Sequence, residues 1–418
     1  MDSKNLIKDA DLKTAIVHSL VFLLPFLTLI TKSGVGLCSF GFLLLAMWYH
    51  RQGLPPLQRH FSDVRGVLGA FLFAFLFTAA VVALDDEFIL RYLEKPARML
   101  FAAAAMVVVL ALRPSRKALW WGLVAGAVAG ASVAVYQRLI LHVDRPGGGI
   151  NAITFGDIVL CLGLMSLAGV LDFPRRQRIW PALGAVAGVV GMLATGTRGG
   201  WAAILLAVLV FVKYGNHLRS KFARAATALV AALTVGAFFV PQVGVLERLE
   251  QGVDDVRNYY FGDQAFTNVG VRLEMWKAGL LLIERHPVTP TSYADVKAEL
   301  GELVAQGKVR PFVLDFEHFH NDALQAQVIG GVGGLLAWLL SLLLPFLFFR
   351  RVLNRHGARG GPPVALALAG MLLVVSYFSF GLTEVIFWSV RSCMFYALML
   401  FILVGMCLNA EQQAGEGR

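Results

Sequence analysis

At 418 residues, with 57% hydrophobic residues, 15% charged residues and a mean hydropathy of +0.68, the chain is too apolar for a water-soluble protein, where apolar residues make up about 45–50%. The formal net charge of +10 would suit a nucleic-acid binder, but the basic residues are scattered through short hydrophilic connectors without an aromatic-interleaved patch, which excludes that partner. Charges bunch between uncharged runs long enough to cross a hydrocarbon core of roughly 30 Å, the pattern of an all-α, polytopic integral membrane protein.

The chain opens with Lys4, Lys8 and Lys13 interspersed with Asp2, Asp9 and Asp11, and no small-residue cleavage site follows the first apolar run, which reads as a span. Spans are expected near 14–31, 33–49, 66–84, 97–112, 118–140, 152–171, 179–197, 201–213, 222–243, 326–349, 363–383 and 390–408, about twelve transmembrane helices. Arg198-Gly199-Gly200 leaves room for only a tight turn, so the seventh and eighth runs are expected to form a hairpin. Residues 1–243 then hold helices 1–9, residues 244–325 a loop domain, and residues 326–418 helices 10–12 with a short tail.

Orientation follows from the basic residues. Alternate connectors, with both termini, hold twenty-one Lys and Arg residues; the opposite short connectors hold Lys32, Arg91, Lys95, Arg98, Arg145 and Arg198. Both termini are therefore expected in the cytoplasm and the 244–325 loop outside. In that loop Val245, Leu249, Val253 and Val256 recur at helical spacing, as do Val296, Leu300 and Leu303, so a small helical unit is expected between helices 9 and 10. Its acidic residues outnumber its basic ones by 13 to 8, which excludes attraction to anionic lipid as its purpose. Cys38, Cys161, Cys393 and Cys407 lie in apolar runs with no metal-binding spacing and read as core residues.

Ionisable residues cluster at the outward ends of spans. Arg98 opens the fourth, Arg138 closes the fifth, Asp157 sits just inside the sixth, Arg198 makes the turn after the seventh, and Arg391 starts the twelfth. Arginine suits bidentate recognition of phosphate; the alternative for Arg98, Arg138 and Arg391 is snorkelling to lipid headgroups. Arg198, flanked by Thr197, Gly199 and Gly200, has a backbone that a ligand can approach closely. In the loop, Arg272 stands near the start of a helical stretch, whose N–H groups add to its pull on an anion; its alternative is a carboxylate partner within the loop. His318 and His320 precede Asn321 where the chain re-enters the membrane. No third His or Cys stands near them, so no metal is expected; His320 reads either as a general base near neutral pH or as a cap.

Arg-Gly-Gly-Trp at 198–201, Arg272 with Trp276, and His320-Asn321 followed nine residues later by Gly331-Val332-Gly333-Gly334 resemble the O-antigen ligase and polymerase family. The 320–334 pattern is that of the ligases, closer to those of lipopolysaccharide than to the longer oligosaccharide ligases that modify protein. One departure stands out: relatives carry a Gly-rich turn after the equivalent of His286-Pro287, whereas this chain has Val288-Thr289-Pro290-Thr291, onto which no role is carried.

The resemblance implies a bacterial inner-membrane enzyme with its site facing the periplasm. Its donor would be a polysaccharide on undecaprenyl pyrophosphate and its acceptor a sugar hydroxyl of lipid A-core. Arg198 and Arg272 would hold the pyrophosphate and His320 would be catalytic, with His318, Asn321, Arg98, Arg138, Asp157 and Arg391 in support. The reaction would invert the anomeric centre and need neither metal nor cofactor. An O-antigen polymerase of the same chemistry is one alternative. A lipid-linked glycan transporter or flippase is another, although its charges should lie near the bilayer midplane.

Overall fold

The computed structural model describes residues 3–84, 89–197, 199–214, 221–236, 245–262 and 264–416. Among these the chain is helical throughout, with no strand: α1 (Ser3–Leu27), α2 (Gly34–Arg59), α3 (Phe61–Leu84), α4 (Glu94–Phe101), α5 (Ala103–Leu112), α6 (Arg116–Leu139), α7 (Ala152–Ala168), α8 (Ile179–Thr195), α9 (Gly200–Tyr214), α10 (Lys221–Gly236), α11 (Val245–Phe261), α12 (Asn268–Arg285), α13 (Tyr293–Ala305), α14 (Asp322–His356), α15 (Pro362–Gly381) and α16 (Val390–Glu416). It is a polytopic membrane protein. Among the described residues eight helical segments are long and apolar enough to cross a bilayer, while Lys13–Leu27 and Gly200–Tyr214 are apolar but shorter. The fourth expected run is split between α4 and α5, and the end of the ninth, 237–243, lies outside the described residues.

The middle of the bundle is formed by α7, α15 and α16, whose side chains are almost all buried. A helix apolar on every face can satisfy that position because it has no polar stripe to keep wet. Small residues let α7 and α8 approach closely: a Cβ built on Gly163 would lie 2.7 Å from the Cα of Gly188. At one end of the bundle the connectors are tied by polar side chains. The Asp172 carboxylate accepts from Arg116 Nε at 2.9 Å and Trp120 Nε1 at 2.7 Å, Arg113 donates to Gln412 at 2.9 Å, and Arg355 to Asp63 at 3.2 Å. These are the connectors richest in basic residues.

The long loop has its own core, in which Met275, Leu282, Leu300, Leu303, Val313 and Phe319 are buried. The apolar stripe of α13 is buried as its spacing requires, whereas Val253 and Val256 of α11 are exposed. Helical periodicity set the conformation of α11, but it did not decide whether another element covers the stripe.

The tenth expected span is not a continuous helix. Inside α14, Gly331 adopts φ +56°, ψ −154°, a conformation that side chains strain. The break receives the 288–291 segment: Thr291 N–H donates to Ile329 O at 3.1 Å and Val332 N–H to Val288 O at 3.3 Å. A Cβ on Gly331 would collide with the Val288 carbonyl. The Val-Thr-Pro-Thr segment thus straps the loop to the membrane bundle, and glycine is required because another backbone occupies the place of its side chain.

Candidate active site

The site is built where α14 starts, where α15 ends, and along α12. Asn321 caps α14: its Oδ1 accepts from Leu324 N–H and its Nδ2 donates to Leu382 O, both at 3.0 Å. The cap therefore binds the start of one helix to the end of another. Phe319, buried in the loop core, anchors the segment, and its N–H donates to Gln325 Oε1 at 3.1 Å. Between these anchors His320 takes φ +52°, costly for a residue with a Cβ and maintained by its surroundings. The consequence is that both imidazoles face the same carboxylate.

That carboxylate is Glu384, 3% exposed, in the turn after α15. His320 Nδ1 lies 3.3 Å from its Oε2, His318 Nε2 lies 3.6 Å from its Oε1, and Arg272 Nη2 lies 3.9 Å from its Oε2. Burial pushes the Glu384 carboxyl up, but the hydrogen bond from His320 and the charges of His320, His318 and Arg272 outweigh it and hold it below its ordinary value. Burial lowers His318, with Glu384 acting against it. Burial also lowers Arg272, although a guanidinium remains protonated at physiological pH.

Several buried polar atoms of the site residues and their neighbours are left without a partner among the described residues. Among the described residues, both Asp157 oxygens, Arg272 Nε and Trp276 Nε1 are buried without a hydrogen-bond partner, an arrangement usually removed unless function needs it. Asp157 and Glu384 both lie within electrostatic reach of Arg272. So does Arg145, exposed in the α6–α7 connector, whose like charge opposes that of Arg272. Glu384 is the carboxylate paired with Arg272, and the added positive charge of Arg145 leaves the surroundings of Arg272 favourable to an anion.

Of the residues anticipated from the sequence, His318, His320 and Arg272 share one carboxylate, Asn321 frames them, and Asp157 lies close by. Arg198 lies outside the described residues. Its neighbours are placed: Thr197 Oγ1 donates to Ala152 O at 3.3 Å, and a Cβ on Gly199 would lie 2.7 Å from Thr383 Oγ1 and 3.9 Å from Asp157 Oδ1. The other three arginines are held locally, Arg98 by Glu94 at 3.0 Å, Arg138 by the Asp144 carbonyl, and Arg391 by Lys32 O at 3.3 Å.

Glu384 and Arg145 were not anticipated as site residues. A signal existed for the first: Glu384 is the only carboxylate between Asp322 and Glu411. The same residue changes the ligand set near the histidines, because donor atoms of His318, His320 and Glu384 lie within 4.8 Å of one another, a set able to hold a metal ion. The third donor comes from 64 positions away. Arg272 stands against the same carboxylate and supplies positive charge there.

A family model described as O-antigen ligase matches residues 183–339. That stretch contains Arg198, Arg272, His318, His320, Asn321 and the Gly331 break, while Glu384, Asp157 and Arg145 lie beyond it. An uncharacterized protein of Haemophilus influenzae is 23% identical over 324 residues, covering 76% of this chain and 79% of its own. An O-antigen ligase of Escherichia coli K12 is 24% identical over 283 residues, covering 66% of this chain and 63% of its own, so the match spans less than two thirds of that relative.

Proposed function

Taking as premise that this chain belongs to the O-antigen ligase family, we propose that it transfers a polysaccharide from undecaprenyl pyrophosphate to a sugar hydroxyl of lipid A-core. The observation that carries this reading is the His320–Glu384 pair, with Arg272 on the same carboxylate. With Nδ1–H of His320 given to Glu384, Nε2 is left as an acceptor, the tautomer a general base requires. His320 Nε2 takes the proton of the acceptor hydroxyl as its oxygen attacks the anomeric carbon. The bond from that carbon to the phosphate oxygen breaks, and the pyrophosphate leaves with the electron pair. One displacement inverts the anomeric centre.

Arg272, with Arg145 and Arg198, neutralises the negative charge that grows on the leaving group. This charge is what soluble transferases commonly meet with a divalent cation, and here arginines supply it, so the reaction proceeds without metal. The site lies in the inner membrane's periplasmic leaflet, both termini are cytoplasmic, and residues 244–325 form a periplasmic domain over residues 1–243 and 326–418. Both substrates are lipids, which requires a site at the membrane surface.

The test is transfer of polysaccharide from the undecaprenyl-linked donor to purified lipid A-core by wild type and by a folded His320→Ala variant. Transfer that disappears with His320 supports the reading. Elongation of donor glycan on donor glycan, with lipid A-core unused, would replace it with a polymerase; no covalent transfer at all would turn it toward a carrier.

A further inference from the structure

Beside the catalytic pair lies an aromatic corner that the transfer chemistry does not use. The ring of Trp388, in the turn before α16, packs against His318 with centroids 5.3 Å apart and edge-on against Tyr293 at 5.9 Å. Tyr293 in turn stacks on Tyr92 at 5.4 Å, and its N–H donates to the Tyr92 hydroxyl oxygen at 3.2 Å. Lys95 completes the corner with its Nζ 4.7 Å from the Trp388 centroid. Among the described residues no carboxylate pairs directly with Lys95, and Tyr293 remains 36% exposed. Three stretches far apart in sequence, 92–95, 293 and 388, converge here.

We propose that this corner is the acceptor subsite and that it takes a sugar bearing a phosphate or carboxylate group. This rests on the transferase reading. Aromatic faces suit the C–H faces of a pyranose, and the Tyr293 hydroxyl, which accepts from Gln325 Nε2 at 3.5 Å, lies beside them for sugar hydroxyls. Among the described residues Asp322 reaches Lys95 electrostatically without an ion pair at contact distance, so the half-buried ammonium over the indole keeps N–H donors to offer an anion. The contacts run from Arg272 through Glu384 and His318 to Trp388 and Lys95, so His320 stands between a cationic end for the donor and another for the acceptor. Rings of an interfacial belt face lipid, whereas these rings pack on one another and on His318.

The experiment reconstitutes the full chain in lipid discs and measures transfer by wild type, Lys95→Gln, Lys95→Arg and Trp388→Ala, using acceptor glycolipid either intact or stripped of its anionic groups. Lys95→Gln should raise the KM for intact acceptor roughly tenfold, a loss typical of one hydrogen bond to a charged group, with the donor KM unmoved. Wild type on stripped acceptor should show the same defect, Lys95→Gln should add nothing to it, and Lys95→Arg should rescue most of it. Trp388→Ala should weaken both acceptors. An unchanged acceptor KM, leaving Lys95 to lipid headgroups, would overturn the proposal, as would an effect on the donor KM instead. Should wild type transfer nothing, the transferase reading fails by itself. Direct binding of intact acceptor then decides: roughly tenfold weaker binding by Lys95→Gln supports the subsite, and equal binding overturns it.

Discussion

Nδ1 of His320 and Oε2 of Glu384 lie 3.3 Å apart across a separation of 64 residues, and the histidine keeps a left-handed backbone to reach this position. Orienting an imidazole through Nδ1 lets a carboxylate act on the reaction without touching substrate. Glu384→Gln should leave the fold intact and lower transfer by about 10²-fold or more, within the range general acid–base groups contribute. Because the two residues act as a unit, His320→Ala with Glu384→Gln should be little worse than His320→Ala alone. Multiplying losses in purified protein would show that Glu384 acts independently.

Arg145 lies within electrostatic reach of Arg272, and their like charges oppose each other. Arg272→Ala should cost about 10- to 100-fold in kcat/KM for the donor, the worth of a charge-assisted contact. Removing Arg145, which is more exposed, should cost less, and its effect should shrink as salt is raised. An Arg145→Lys variant equal to wild type and an Arg272→Lys variant still impaired would fit a point charge at the first position and a bidentate contact at the second. Donor kinetics at low and high ionic strength check this; a salt-independent loss at Arg145 would contradict it.

His318, His320 and Glu384 offer three metal-binding atoms, yet Arg272 already holds the carboxylate. Transfer should therefore survive prolonged treatment with EDTA. Loss of activity restored by a single divalent cation would assign the cluster to a metal and remove His320 as base, since its nitrogen would be committed.

Gly331 and Gly333 sit in the same motif but for different reasons. A Cβ at Gly331 meets the Val288 backbone at a positive φ, whereas at Gly333 its three nearest atoms belong to the ring of Phe77, a side chain able to move. Gly331→Ala should destabilise the protein by about 1–3 kcal/mol, and Gly333→Ala by less. Thermal melts in detergent compare the two, and equal losses would mean that the 288–291 strap carries little energy.

Burial holds His318 below its ordinary value, and its partners hold Glu384 below its own. A histidine with a lowered folded value takes up its proton first in the unfolded chain, so stability falls as pH drops below about 6.5. A carboxyl with a lowered folded value contributes stability above about 4.3, which is lost as pH falls through the folded value. From about pH 7 to 5 the histidine dominates. The melting temperature should fall over that window, and His318→Gln should shrink the fall; an identical fall in both proteins would exclude His318 as its source.

Membrane class, the helical character of the runs and the neighbourhood of His320 were legible in the amino-acid order because each depends on local properties. A run of apolar residues must satisfy its own backbone hydrogen bonds in lipid, so it becomes a helix wherever it packs. The His-Asn start of α14 is likewise local, since Asn321 caps the helix that follows it. Even the Gly331 motif was visible as a pattern, but its purpose was not: the backbone it admits comes from Val288.

What the tertiary structure decided was which side chains meet. Glu384, the partner of both histidines, stands 64 residues from His320; Lys95 and Trp388, which flank them, come from opposite thirds of the chain. Periodicity and hydropathy describe how each helix treats its own faces, not which helix ends share a mouth. It also decided that the stripe of α13 is covered while Val253 and Val256 of α11 stay exposed, because coverage depends on a neighbour and a neighbour exists only in the folded chain.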